Sequence, residues 1–325
     1  MRKVKWGIMG PGGIAHKFAK SLISIENAEL TAIGSRNVDR AEEFAAKYGA
    51  KHFYGSYEEL VQDKEVEIVY VATPHSAHFE TAMLCLKAGK AVLCEKPFTI
   101  NATQAQLLVK TARECGVFLM EAMWTRYLPA ITKVRELLAA NSIGKVRMVK
   151  ADFGFRADLN PDGRLFNPNL GGGALLDVGI YTLSFTAMIL GVKPQNVISA
   201  AHIGITGVDE QCTFTLSYEG GELAVLSASV RTHIPNDALI LGTDGYIKIP
   251  EFWHGSSFEL NINGKSEMFN LPYLSNGYTH EAQEAMECLV DGRLESSIMP
   301  LDETIELMRI LDGIRCQWGL KYPQE

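Results

Sequence analysis

The sequence predicts an α/β N-terminal domain on a doubly wound parallel sheet, followed by an α+β domain with a large, mainly antiparallel open sheet. Three observations carry this. From Val4 to Met120, short near-continuous apolar runs alternate with stretches of helical periodicity, as strands buried on both faces and joined by helices do. Beyond that point, longer strands alternate apolar and polar side chains, as sheets with one covered face do. And 325 residues are too many for one core of ordinary size, so two domains are expected.

The elements follow in order. Val4–Met9 reads as a strand, after which Ile14, Phe18, Leu22 and Ile23 recur at helical spacing. Leu30–Gly34 is a second strand, followed by an Ala/Glu-rich helix to Tyr48. Glu67–Ala72, EIVYVA, is apolar enough to be buried on both faces. Phe79, Met83 and Leu86 line the next helix, which Gly89 ends, and Ala91–Cys94 is another strand. Asn101 is placed to cap a helix, with Gln104 at the capping-box position and Gly116 at the far end. Val117–Met120 closes the series. The pattern changes near residue 123 with no Pro/Ser-rich linker, so the expected domains are 1–123 and 124–325, the C-terminal helix being able to pack back on the first. A helix over Pro129–Asn141 comes next. In the following sheet Cys212, Phe214, Leu216 and Tyr218 share one face, with Thr213, Thr215 and Ser217 on the other. Gly220-Gly221 and Asp244-Gly245 have the form of two-residue hairpin turns. Helices are expected near Ala174–Leu190, Thr279–Asp291 and Leu301–Leu320.

Composition removes several classes of function. With 47% hydrophobic and 21% charged residues the chain is an ordinary globular one, and a net charge of −7 offers no basic stripe for nucleic acid. The six cysteines stand far apart with no C-x-x-C pair, which disfavours disulfide frameworks and metal cages and fits a reducing cytoplasm. The N-terminal MRKVKWGIMGPGG is broken too early by Gly and Pro to read as a signal peptide. No uninterrupted apolar run nears the ~18 residues of a membrane span, so no membrane partner is expected.

The stretch GIMGPGGIA follows the first strand and opens the first helix. In it Gly10 permits a tight turn, Gly12 lets backbone approach a pyrophosphate, and Ala15 allows close helix–strand packing, with Gly13 and Ile14 between them. The helix N-terminus would present its free amides to the phosphates. This is the Rossmann dinucleotide pattern in its strand–turn–helix context. At the end of the second strand, IGSRN has Ser35 and Arg36 where an NAD enzyme carries an acid for the ribose 2′-hydroxyl. Guanidinium and hydroxyl suit a 2′-phosphate, so NADP(H) is favoured and NAD(H) admitted.

Open α/β sheets bind ligands at the carboxyl ends of their strands. Three such ends carry polar groups that together would surround the nicotinamide of the cofactor: Thr73, Pro74 and His75 with His78; Glu95, Lys96 and Pro97; and Glu121 with Trp124 and Arg126. His75 and His78 are three apart, but no Cys cluster or third ligand stands nearby, so no metal is expected.

GIMGPGGIA, TPHSAHFE and CEKPF, with GGGALLDVGIY in the second half, resemble the glucose-fructose oxidoreductase/inositol dehydrogenase/MocA family. YGSYEEL, AVLCEKP, FLMEAMWTR and GGALLDVGIY are most similar to its dihydrodiol-dehydrogenase branch. The resemblance spans almost the whole chain. It implies hydride transfer between nicotinamide C4 and a carbinol or carbonyl of a sugar, cyclic polyol or trans-dihydrodiol. It also implies that Lys96 lies beside the nicotinamide and the substrate hydroxyl, with Glu95 and Pro97 fixing its approach, in some members through a cis peptide. His75 and His78 would line the lip of the nicotinamide pocket. Asp177 and Tyr181, four apart in the second signature, share a helix face, and Gly171–Gly173 would admit the cofactor. Most members carry His where Tyr181 stands. Either Tyr181 or Lys96 exchanges the proton at the substrate oxygen, Asp177 orienting it. Trp124, Arg126 and Phe153 are candidate substrate contacts, Tyr278 and His280 weaker ones. A homodimer through the second-domain sheet is the implied assembly. The competing implication is a dinucleotide-binding regulator without turnover, which the family also contains.

Overall fold

The computed structural model describes residues 2–325. The chain forms two compact units, one of Met1–Trp124 with Leu274–Ile305, the other of Thr125–Tyr273 with Glu306–Glu325.

In the first unit β1 (Val4–Met9), α1 (Gly13–Leu22), β2 (Ala28–Gly34), α2 (Val38–Tyr48), β3 (His52–Tyr54), α3 (Tyr57–Gln62), β4 (Ile68–Val71), α4 (His78–Lys87), β5 (Ala91–Glu95), α5 (Ala102–Cys115) and β6 (Leu119–Ala122) follow one another. Among the described residues the strands make one parallel sheet in the order β3-β2-β1-β4-β5-β6. The order reverses between β1 and β4, which is where such a sheet opens a crevice at its carboxyl edge. β4 and β5 are buried along their whole length. Trp6, Phe18 and Tyr70 fill the space between sheet and α1, with the Phe18 and Tyr70 rings stacked 3.8 Å apart. Asn101 caps α5 by accepting the Gln104 amide, and Gln104 returns a bond to the Ile100 amide, the expected reciprocal cap displaced by one residue. β3 has only three residues, too short to show a period, and was not expected.

The second unit holds α6 (Pro129–Ala139), β7 (Val146–Gly154), a π-helical turn (Leu175–Gly179) running into α7 (Ile180–Leu190), then β8 (Asn196–Ile203), β9 (Asp209–Ser217), β10 (Leu223–Ser229), β11 (Ala238–Gly242), β12 (Gly245–Ile249), β13 (Ser257–Ile262) and β14 (Lys265–Asn270). Among the described residues its sheet runs β14-β13-β12-β11-β7-β10-β9-β8, every neighbouring pair antiparallel except β7 with β10. β9 alternates as expected: Cys212, Phe214 and Leu216 are buried, Thr213 and Thr215 exposed. The β9–β10 hairpin is wider than a two-residue turn. The Tyr218 amide donates to the Glu222 carbonyl and the Gly221 amide to that of Tyr218, leaving Glu219–Gly221 as the loop.

Two assignments differ from the sequence expectation. α8 (Tyr278–Val290), expected with residues 124–325, groups with the first unit, where it packs on α1. α9 (Leu301–Trp318) is divided after Ile305. Helical periodicity says that a helix has an apolar face, not which sheet that face covers. Pro168–Leu190 is 23 residues long and apolar enough to cross a membrane, but 83% of its most apolar window is buried inside the protein. A search for unbroken apolar runs misses it because Asp177 and several hydroxyl side chains interrupt it.

The start of that helical stretch is anchored by Asp209 at the head of β9. Its Oδ2 accepts the Leu175 amide at 2.7 Å, and burial pushes its carboxyl up to about 7. A side chain at Gly173, φ +120°, would meet Asp209 Oδ1 at 2.3 Å. One at Gly172 would meet the Leu165 carbonyl at 2.8 Å, so these two glycines serve contacts within the chain itself. Tyr322 ties the same segment by donating to the Gly172 carbonyl at 2.5 Å. Asp209→Ala leaves the Leu175 amide buried and unpaired. It should cost about 1–3 kcal/mol in thermal unfolding, with Asp209→Asn, which keeps an acceptor, losing less than half of that.

Candidate active site

The first unit brings most of the expected cofactor residues to one edge of its sheet. Gly10 turns the chain at the end of β1 with φ +85°, and a Cβ there would lie 2.8 Å from the Ala72 carbonyl oxygen at the end of β4. The α1 cap, Gly12, makes no side-chain bond. A Cβ at Gly13 would meet nothing within 4 Å, so the space over the first turn is clear. The first-turn amides of Gly13, Ile14 and Ala15 are the donors that a helix leaves without an internal partner. Ala15 itself is buried. This open, positively polarised end fits a pyrophosphate.

At the end of β2, Ser35 is buried and its hydroxyl accepts the Asn37 amide at 3.2 Å, while Arg36 is exposed. Arg40, four residues on, donates from Nη2 to the Pro11 carbonyl at 3.2 Å and so lies against the glycine loop. Burial raises the pKa of Tyr57, and the charges of Arg36 and Arg40 both act to lower it. Arg40 was missed in the sequence. Its signal was a second arginine in the first turn of the helix after β2.

Beyond β4, Thr73 is buried and its hydroxyl has no partner among the described residues, a spare group at the edge where a nucleotide would lie. Pro74 precedes a short 3-10 turn, His75–Ala77. His75 is 9% exposed and its ring stands edge-on to that of His78. His78 corrects an expectation. It is 1% exposed, with Nδ1 2.8 Å from the Pro97 carbonyl and Nε2 2.9 Å from that of Thr73. Burial pushes its imidazole down to about 4, against the pull of the two carbonyls. Both nitrogens face backbone, so His78 ties the β4 and β5 loops together and offers neither nitrogen to a ligand.

β5 ends at Glu95, which is buried; its carboxylate accepts the Tyr70 hydroxyl and, at 3.1 Å, the Lys96 amide. The peptide between Lys96 and Pro97 is cis. Lys96 is partly exposed at this edge. Past β6, Trp124 is 3% exposed and stacks on Tyr278 of α8 at 4.3 Å. His280 receives the Leu274 amide on Nε2 at 3.3 Å, a structural contact.

In the second unit, Asp177 lies in the π-helical turn and Tyr181 in the first turn of α7, both buried. The helix expected to run unbroken from Ala174 thus starts with a wider turn, a feature that clusters at functional sites. Asp177 Oδ1 accepts from Arg164 Nη1 at 2.9 Å. The Tyr181 ring meets Phe153 edge-on at 5.2 Å, and Phe153 stacks on Trp253 at 4.9 Å. Arg164 and Trp253 were missed because both come from irregular segments where spacing carries no information. Arg126, expected at the cofactor, is 2% exposed and grips Ser184 of α7 through Nε to the hydroxyl (2.9 Å) and Nη2 to the carbonyl (2.7 Å). No group of three or more metal-binding side chains occurs among the described residues.

Residues 4–123 match a family model described as an oxidoreductase family with an NAD-binding Rossmann fold, and residues 131–248 match the GFO/IDH/MocA C-terminal domain. The chain is 40% identical over 333 residues to a trans-1,2-dihydrobenzene-1,2-diol dehydrogenase of Mus musculus, covering 99% of each. The protein of the same name from Homo sapiens is 37% identical over 334 residues, with the same coverage. A 3-ketoreductase from Actinomadura kijaniata, crystallised with NADP and TDP-benzene, superposes with a TM-score of 0.87 at 26% identity, covering 97% of this chain and 98% of that one. An aldose-aldose oxidoreductase from Caulobacter crescentus shares the fold, with a TM-score of 0.90 at 23% identity over 98% of each chain. A Rossmann unit with a glycine-cradled helix end, joined in one chain to a mainly antiparallel sheet unit, and likeness of this extent make the chain a member of the GFO/IDH/MocA family of oxidoreductases.

Proposed function

We propose that the protein is an NADP(H)-dependent oxidoreductase acting on the carbinol or carbonyl carbon of a trans-dihydrodiol, a cyclic polyol or a sugar. The observation that carries this reading is Lys96 at the carboxyl end of β5, in a chain similar over 99% of its length to trans-dihydrodiol dehydrogenases. The nicotinamide, when bound, exchanges the hydride. The protein's own residues do the rest. The open end of α1 receives the pyrophosphate. Arg36 and Arg40, with no acid at the end of β2 to favour an unmodified ribose, receive the 2′-phosphate.

Hydride transfer at a carbinol carbon needs a proton moved at its oxygen. Lys96 and Tyr181 serve that step. The ammonium binds and polarises the oxygen, and the phenol exchanges the proton; the opposite division of labour uses the same two groups. Asp177, held by Arg164, orients the proton-exchanging group. The edge-to-face Phe153 and Tyr181 rings and the stacked Trp253 give a cyclic substrate an apolar wall.

The outward face of the second-unit sheet supports a homodimer. Ile198, Thr215 and Val225 lie in register across β8, β9 and β10, and Ile198 and Val225 are 73% and 44% exposed. Beside them, Ala200, Thr213 and Ser227 line a cavity of about 380 Å³. Exposed apolar residues aligned across one sheet face are a surface that a second copy would cover.

Arg36→Ala and Arg40→Ala should each lower kcat/KM for NADPH by ~10–100-fold, the worth of a charge-assisted hydrogen bond, and leave NADH within ~2-fold. Equal losses with both nucleotides would contradict the 2′-phosphate assignment. Lys96→Ala and Tyr181→Phe should each lower kcat by ~10²–10⁴-fold, with the double variant little worse than either single one. Tight NADPH binding without turnover across a panel of diketones, osones and dihydrodiols would favour a regulator. Light scattering at micromolar concentration should give a dimer mass, which Val225→Asp shifts toward monomer.

A further inference from the structure

Glu281 takes no part in the scheme above, yet it is the least satisfied polar side chain of the first unit. It lies in the first turn of α8, fully buried, and neither carboxyl oxygen has a hydrogen-bond partner among the described residues. Glu95 at the end of β5 and Tyr70 in β4 are in electrostatic reach of it, and Tyr278 in its own helix is in reach of Tyr70. Tyr70 and Tyr278 are both buried. Glu95, by contrast, is supplied with donors: the Tyr70 hydroxyl on one oxygen and the Lys96 amide on the other.

Two buried carboxyls within electrostatic reach of each other cannot both ionise. Donors favour the charged form of the group that they reach, and a group without donors is better neutral. We propose that Glu281 and Glu95 hold one proton between them, Glu281 as the carboxylic acid and Glu95 as the carboxylate that fixes the Lys96 loop. Burial and the charge of Glu95 both push the Glu281 carboxyl well up, in agreement with this placement. Glu281 is then a positioning residue: its proton leaves the pair with a single negative charge, on Glu95, which accepts from the Lys96 amide. The value of this to Lys96 rests on the catalytic role proposed for that residue; the shared proton does not.

Infrared spectroscopy of the intact protein in H2O and D2O near neutral pH tests the assignment without any substrate. A protonated-carboxyl C=O band that shifts on deuteration and is cancelled by no signal of Glu281→Gln is expected in the parent-minus-variant difference spectrum, where the contribution of Asp209, itself pushed up to about 7, subtracts out. No such band in the difference spectrum overturns the proposal. Thermal unfolding supplies a second readout. A folded-state pKa above the unfolded ~4.3 makes the parent lose stability as pH rises past ~4.3. Glu281→Gln carries no such cost, so its advantage in melting temperature should grow by about 2–4 °C or more from about pH 5 to about pH 8. A difference independent of pH would mean that Glu281 only fills space.

Discussion

The carboxylate of Glu95 receives a proton donor from Tyr70 on one side and the amide of Lys96 on the other, and the segment carrying Lys96 takes its place from those two bonds. An acid and a base at the end of an apolar strand are costly unless each has partners. Here the acid is turned inward and used as an anchor. The chain does not rely on that bond alone. His78 spans the carbonyls of Thr73 and Pro97, joining the loop after β4 to the loop after β5. Gly10 lets the turn after β1 lie directly on the end of β4. The loops after β1, β4 and β5 are thus tied by short contacts at the edge where parallel sheets bind nucleotides.

The second unit meets a similar demand by other means. Its signature segment must begin a buried helix without leaving the first amides unpaired. Asp209, reaching from a neighbouring strand, takes one of them, and Tyr322 near the C-terminus holds the Gly172 carbonyl. Arg315, almost fully buried, closes the terminus on itself through Asp312 and both oxygens of Glu325. Arg126 clamps Ser184 further along the same helix. Tyr181 therefore sits on an element fixed at its start and along its length, as the proton exchange proposed for it requires.

Much of this was legible in the sequence because it follows from periodicity. The buried parallel strands, the alternation of Cys212 to Leu216 and the glycine loop all announce themselves by spacing, and each depends on its own backbone more than on distant residues. The cap at Asn101 is legible for the same reason. Partnerships across long separations were not. Nothing local says that α8 packs on α1, that Arg40 leans on Pro11, that Arg164 meets Asp177, or that Glu281 lies near Glu95. His78 was misjudged for a related reason. The resemblance places it at the lip of the nicotinamide pocket, but only the fold reveals that two backbone carbonyls already face its nitrogens. The triple glycine was expected to let its helix approach a cofactor; what only the fold reveals is that Gly172 and Gly173 also leave room for the Leu165 carbonyl and Asp209.

The account stands or falls on whether these residues serve transfer of a hydride, as opposed to the mere holding of a nucleotide. A single-turnover reaction of the protein with NADPH deuterated at the transferable C4 position, mixed with a cyclic diketone or an osone, addresses this directly. The product alcohol should carry deuterium on its carbinol carbon, in step with the loss of reduced-nicotinamide absorbance. Nucleotide that stays bound and reduced, or product whose new hydrogen comes from solvent, would contradict it.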